Sequence, residues 1–171
     1  EFLGKPALEF LDRMFGKPIE ILGYMRQRMP SNWKLYWENF IDAYHGGMLH
    51  QIPVVFGLHR NTQQTKLMLD KLGRHMAAYV VYDSDTEEEV HEGYDDTVLF
   101  DETLTLEDPS LVGYRDEVGD GHVVRMMTVF PSIMFHQLSN TLATRQIRPK
   151  RAGEFELYWT IFGYADDDDE M

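Results

Sequence analysis

The pattern of apolar and polar positions divides the chain into a first part that alternates helix and strand and a last part made of closely spaced strands. Residues 5 to 15 suit a short helix opened by Pro6 and stopped at Gly16, because proline fits the first helical turn and glycine ends helices readily. Ile19 and Ile21 then alternate with polar neighbours, which predicts a strand running to Met29. Pro30 and Ser31 mark a second helix start, with Ser31 as N-cap and Asn32 to about Tyr44 as the body. Trp33, Trp37, Phe40, Ile41 and Tyr44 recur at helical spacing and share one face, expected to be core. Glu38, Asp42 and His45 form a polar stripe beside it.

Residues 75 to 82 read as a strand. From 83 to 120 the chain carries fifteen Asp or Glu and one base, Arg115, which suits a solvated excursion with no catalytic role. Beyond Gly121 the period changes to HVVRMMTVF, then SIMFHQL after Pro131, TLATRQIR after Ser139-Asn140, and FELYWTIFGY after PKRAG, an antiparallel meander. With no βαβ alternation, the class expected is α+β, an antiparallel sheet covered by helices.

Composition narrows the chemistry. The 171 residues suit one domain, and 43% hydrophobic with 13% aromatic content is enough to fill a core. A net charge of −13 repels phosphate backbones and anionic lipid, so neither nucleic acid nor a membrane surface is an expected partner. The chain has no cysteine, which removes disulfides, thiolate nucleophiles and cysteine-ligated metals, so any metal must be held by His and carboxylate. No apolar run approaches a membrane span, and the expected location is the cytoplasm.

The stretch NWKLYWENFIDAYHGGMLH, residues 32 to 50, concentrates the candidate chemistry. On a continuous helix His45 and His50 would point about 140° apart, so they can grip one ion only if the helix breaks. Gly46-Gly47 is the expected break. Two neutral imidazoles and one carboxylate with open positions is the donor set of non-haem Fe(II) oxygenases. Asp42, one turn earlier, is placed to hydrogen-bond a ring N–H and select the nitrogen that meets metal. Asp42 as a ligand itself is the competing assignment. A metal-free module, in which sheet and helix enclose a hydrophobic ligand and both histidines only hydrogen-bond, is the reading from another class.

These residues resemble the catalytic domain of the α (large) subunit of Rieske-type aromatic ring-hydroxylating dioxygenases. The resemblance rests on Asn32-Trp33-Lys34, Glu38-Asn39, Asp42-Ala43-Tyr44-His45 and His50, and on LATRQIRP with FELYWTIFGYADDDDEM, which is similar to the subgroup acting on terephthalate, salicylate and anthranilate. It implies a helix-capped curved antiparallel sheet of the helix-grip, Bet v 1/START-like kind. It also implies His45 and His50 as ligands of a mononuclear Fe(II), Asp42 as the electron-transfer bridge to a neighbouring subunit, and Asn39 near the iron. Residues 1 to 171 would then be part of the catalytic domain. The Rieske [2Fe–2S] domain would precede it, and the third iron ligand, an Asp, would lie beyond Met171, with Asp166 to Asp169 a solvated strand end. Such a fragment alone would be inactive.

The resemblance further implies an aromatic substrate and dioxygen, a reductase with or without a ferredoxin, and a homotrimer of α, with or without β subunits. For a substrate carboxylate, Arg145 and Arg148 are the candidate partners, because guanidinium binds carboxylate bidentately. Met48, Leu49 and Phe135 are candidate pocket residues. His59, His75, His91, His122 and His136 lack ligand-like spacing and read as structural or surface residues.

Overall fold

A computed structural model describes residues 2–42, 44–50, 65–81, 106–108 and 114–167. Helix α1 spans Lys5–Met14, strand β1 Ile19–Met29, helix α2 Trp33–Ile41 and a one-turn helix α3 His45–Leu49. The remaining strands are β2 Thr65–Leu69, β3 His75–Val81, β4 His122–Val129, β5 Ile133–Leu138, β6 Thr141–Arg151 and β7 Glu154–Tyr164. All pair antiparallel in one sheet of order β1-β7-β6-β5-β4-β3-β2. The strands from β2 to β7 are neighbours in chain order, as short connections favour, and β1 closes the series against β7.

Side chains alternate across the sheet, so each face has its own helix. Leu142 and Phe162 pair across β6 and β7, and with Met127 they pack on Ala7, Phe10 and Met14 of α1. Ile147 and Leu157 pair five residues along, an odd interval that places them on the other face, where with Met134 and Phe155 they pack on Trp37 and Phe40 of α2. The α+β expectation and the four-strand meander therefore hold. Thr65–Leu69 is a strand that periodicity missed, because as the outer strand it exposes most of its side chains and shows no strong alternation.

The second helix differs from expectation at both ends. Asn32, not Ser31, is the N-cap, its side chain accepting from the Lys34 N–H at 3.0 Å. The helix ends at Ile41 rather than Tyr44, since Asp42 turns extended at φ −82°, ψ 101° and its Oδ1 takes the Tyr44 N–H at 2.8 Å. That local side-chain bond competes with the next helical turn. Tyr44 consequently leaves the apolar face and is 78% exposed.

The end of the acid-rich segment is structural rather than merely solvated. Asp120 receives Arg13 Nε and Nη2 at 2.6 and 2.8 Å and lies 3.3 Å from Arg125, tying α1 to β4. Burial opposes its ionisation, but the hydrogen bonds from Arg13 and His122 outweigh it and hold the carboxyl well below the usual carboxylate range. Asn140, in the β5–β6 turn, accepts from the Arg115 N–H and donates to its carbonyl at 2.9 and 2.8 Å. Most of residues 82 to 113 lies outside the described residues.

Candidate metal and substrate site

Residues from Asn39 to His50 form the first half of the site. The rings of His45 and His50 lie 5.0 Å apart, centroid to centroid, at an interplanar angle of 78°. The break that brings them together is not at the glycines: Gly46 and Gly47 sit inside α3, which runs from His45 to Leu49. The chain bends instead at Asp42, before the turn, and at His50, whose φ −89° and ψ 76° leave the helix. One imidazole thus starts the turn and the other follows its end.

Hydrogen bonds orient His45. Its Nδ1 lies 2.6 Å from the Asp42 carbonyl, which only accepts, so Nδ1 carries the proton and Nε2 keeps the lone pair. That Nε2 lies 3.2 Å from Asn39 Nδ2, and the Asp42 carboxylate lies 3.6 Å from Nδ1. Backbone carbonyl rather than carboxylate therefore selects the tautomer, a common arrangement around metal-binding histidines. The His45 side chain is 15% exposed and that of Asp42 50%, so the carboxylate remains open to a further partner.

Two imidazoles, one with its free nitrogen defined, suit a divalent iron of the His-and-carboxylate type. Among the described residues no group of three His, Asp or Glu is placed to hold one metal ion, the Asp42 carboxylate lying on the Nδ1 side of His45. Asp166 is exposed and bridges to Lys17 at 3.5 Å, and the Asp167 carboxylate accepts the Tyr164 N–H at 2.7 Å, a strand-end role; Asp168 and Asp169 lie outside the described residues.

The second half lies on the sheet face under α2. Arg145 is directly opposite Trp159 in the β6–β7 ladder, and its guanidinium stands 4.0 Å from the centroid of that indole and 5.3 Å from the Phe40 ring. Its Nη1 donates to the Tyr36 hydroxyl at 2.9 Å, while its buried Nε has no partner. Burial pulls its pKa below the usual value. No described carboxylate pairs with it. A buried cation without a counter-ion is costly unless something else supplies the charge.

Arg148 lies on the opposite face, because three residues along a strand invert direction. It is exposed, stacks 4.1 Å over Tyr158 and donates to Gln146 at 3.0 Å, so the two arginines do not share a site. Phe135 is also on that opposite face, edge-on to Phe15 at 6.1 Å, and Leu49 is 71% exposed. The side chain of Met48, and His59 and His91, lie outside the described residues. A groove of about 660 Å³ is lined by Tyr24, Thr144, Tyr158 and Thr160 and also by Arg145 and Trp159, but by neither His45 nor His50.

His136, whose spacing reads as structural or surface, is buried in the layer under α2. It is 2% exposed, its Nδ1 has no partner among the described residues, and its ring meets Trp159 edge-on at 5.7 Å. Burial, and secondarily the Arg145 charge, push it down to about 3, so it is neutral. The legible signal was its strand position, with an apolar residue on each side on the same face.

Comparison with known proteins gives the family and the fold. Residues 18–170 match the family described as "Ring hydroxylating alpha subunit (catalytic domain)". The chain is 36% identical over its whole length to the terephthalate 1,2-dioxygenase terminal oxygenase component subunit alpha 2 of a Comamonas species, covering 41% of that protein. It is 40% identical over 99% of its length to the large oxygenase component of salicylate 5-hydroxylase from a Ralstonia species, covering 40% of that protein. The chain thus spans about two fifths of these curated relatives. Naphthalene 1,2-dioxygenase from a Rhodococcus species, bound to indole, shares the fold at a TM-score of 0.67 with 19% identity, over 94% of this chain and 39% of that one. By match to nearly its whole length, the chain belongs to the ring-hydroxylating α subunit family, within the catalytic domain.

Proposed function

We propose that residues 1 to 171 form part of the mononuclear-iron catalytic domain of an oxygenase that hydroxylates an aromatic carboxylate. The observation that carries this reading is the His45–His50 pair, 5.0 Å apart, with His45 Nε2 left unprotonated by the Asp42 carbonyl. His45 and His50 would hold Fe(II), and a carboxylate outside the described residues would complete the set. When bound, the iron supplies the redox chemistry that makes dioxygen reactive toward an arene.

The chain's own residues do the rest. Asp42 orients His45 through its carbonyl and leaves a half-exposed carboxylate free to bridge to a neighbouring subunit's cluster ligand. Asn39 donates toward His45 Nε2 and would turn aside when that nitrogen is engaged. Trp37, Phe40, Met134 and Trp159 form an apolar layer that excludes water beside the ring. Arg145, without a counter-ion among the described residues, takes the substrate carboxylate. The relatives named for terephthalate and salicylate support an acidic arene.

In the whole protein this domain would follow a Rieske [2Fe–2S] domain, receive electrons from a reductase with or without a ferredoxin, and assemble as an α trimer in the cytoplasm. No helix among the described residues is long and apolar enough to cross a membrane. The test is turnover of the full-length protein with a reductase on benzoate-class acids against uncharged arenes of the same size. Hydroxylated acid, with KM raised at least tenfold more for the acid than for the uncharged arene in Arg145→Gln, is expected. Equal effects on both would remove Arg145 from the site, and no hydroxylation of any arene would favour the metal-free binding module.

A further inference from the structure

Beside Arg145 the sheet offers a second polar position that the carboxylate does not need. Register pairs His136 with Ala143, so Arg145 is its diagonal neighbour on the same face, and both side chains contact the Trp159 indole. Arg145 approaches at 4.0 Å and the His136 ring edge-on at 5.7 Å. Met126, opposite His136 in β4, and Met134 belong to the apolar cluster under α2, so the imidazole points into the same layer.

His136 is 98% buried, and the described residues leave its Nδ1 with no partner. Buried polar atoms in folded proteins are almost always satisfied, so an orphan on an active-site face needs a partner from elsewhere. Being uncharged, it does not compete with Arg145 for an anion. A neutral imidazole nitrogen is satisfied by a hydroxyl or amino group whichever tautomer it adopts, since those groups both donate and accept.

We infer that His136 is a specificity-determining residue that hydrogen-bonds a hydroxyl or amino substituent on the same ring whose carboxylate Arg145 binds. The inference deepens the proposed function and rests on its assignment of Arg145. Arg145 anchors the acid, Trp159 lies against the ring, and His136 distinguishes a substituted benzoate from an unsubstituted one.

The test is calorimetric titration of the anaerobic full-length protein with benzoate, 2-hydroxybenzoate and 2-methylbenzoate. The wild type is expected to bind 2-hydroxybenzoate about tenfold more tightly than the methyl isostere, the worth of one buried hydrogen bond. His136→Phe should abolish that ratio and His136→Gln should restore part of it, while Arg145→Gln weakens all three acids together. A wild-type ratio near one overturns the inference even if His136→Phe fails to fold, and so does a ratio that survives in His136→Phe. If Arg145→Gln leaves all three affinities unchanged while the His136 ratio behaves as expected, the carboxylate assignment fails and the His136 assignment stands. Failure of all three acids to bind overturns both.

Discussion

At the scale of single residues, two groups carry separable predictions. Asp42 either bridges or ligates. Its carbonyl already holds His45 Nδ1 at 2.6 Å, and its carboxylate accepts the Tyr44 N–H through Oδ1 while remaining half-open to solvent. Asp42→Ala keeps the carbonyl, so the full-length variant is expected to retain iron and lose most turnover. Loss of iron with the fold intact would make Asp42 a ligand. His136 carries a stability prediction. Its folded pKa of about 3 lies below the ordinary 6.5, so the unfolded chain takes up the proton first and the folded state loses stability as pH falls from about 6.5 toward 3. The carboxylates held below their ordinary range, Asp70, Asp116, Asp120, Glu154 and Glu156, act in the same direction but only below about pH 4.5. Urea midpoints should therefore fall between pH 6.5 and 4.5 in the wild type and fall less steeply in His136→Gln. Parallel slopes would show that His136 is not held neutral.

At the scale of elements, what periodicity could and could not reveal is clear from α2. Trp37 and Phe40 follow the helical period and are buried, as expected. The same period continues through Tyr44, yet the helix stops at Ile41 because the Asp42 side chain captures a backbone N–H two residues on. An apolar spacing does not register that competition and points to a bend at Gly46-Gly47, whereas the bends lie on either side of them. Convergence of His45 and His50 was legible as a requirement of shared chemistry, whereas its hinge was not. On strands the alternation rule is stricter, and it separates Arg145 from Arg148 without further information. Helix α1 depends on a partner far away in sequence: Arg13 reaches Asp120 and Gln137, contacts no local pattern encodes. Asp120→Asn leaves Arg13 and Arg125 short of their countercharge and is expected to cost about 2 kcal/mol in denaturant unfolding. A change below about 0.5 kcal/mol would reduce the contact to a surface pair.

At the scale of the whole molecule, one antiparallel sheet separates two layers with different tasks. The α1 layer is closed by Met127, Leu142 and Phe162 and by the Arg13–Asp120 pair; among the described residues its buried Arg125 Nε and His75 Nε2 also lack a hydrogen-bond partner, while the Arg125 charge is met by Asp120. The α2 layer combines an apolar cluster with Arg145 and His136, both carrying unpartnered buried nitrogens. Phe155 anchors that layer at 1% exposure against Tyr36, and Phe155→Ala is expected to cost about 3 to 5 kcal/mol through the cavity it leaves. The meander that builds both layers was legible because its turns carry strong signals and its strands are half buried. The outer strand β2 was not, because an edge exposed on both faces loses the alternation that marks a strand. The central claim is that His45 and His50 share one iron. Iron counted per chain in the anaerobically purified full-length protein, after subtraction of the two irons of the proposed Rieske cluster, tests this most directly. One further iron in the wild type, absent from both His45→Ala and His50→Ala with the cluster spectrum unchanged, is the predicted result. A wild type without that iron, or single variants that keep it, would contradict the claim.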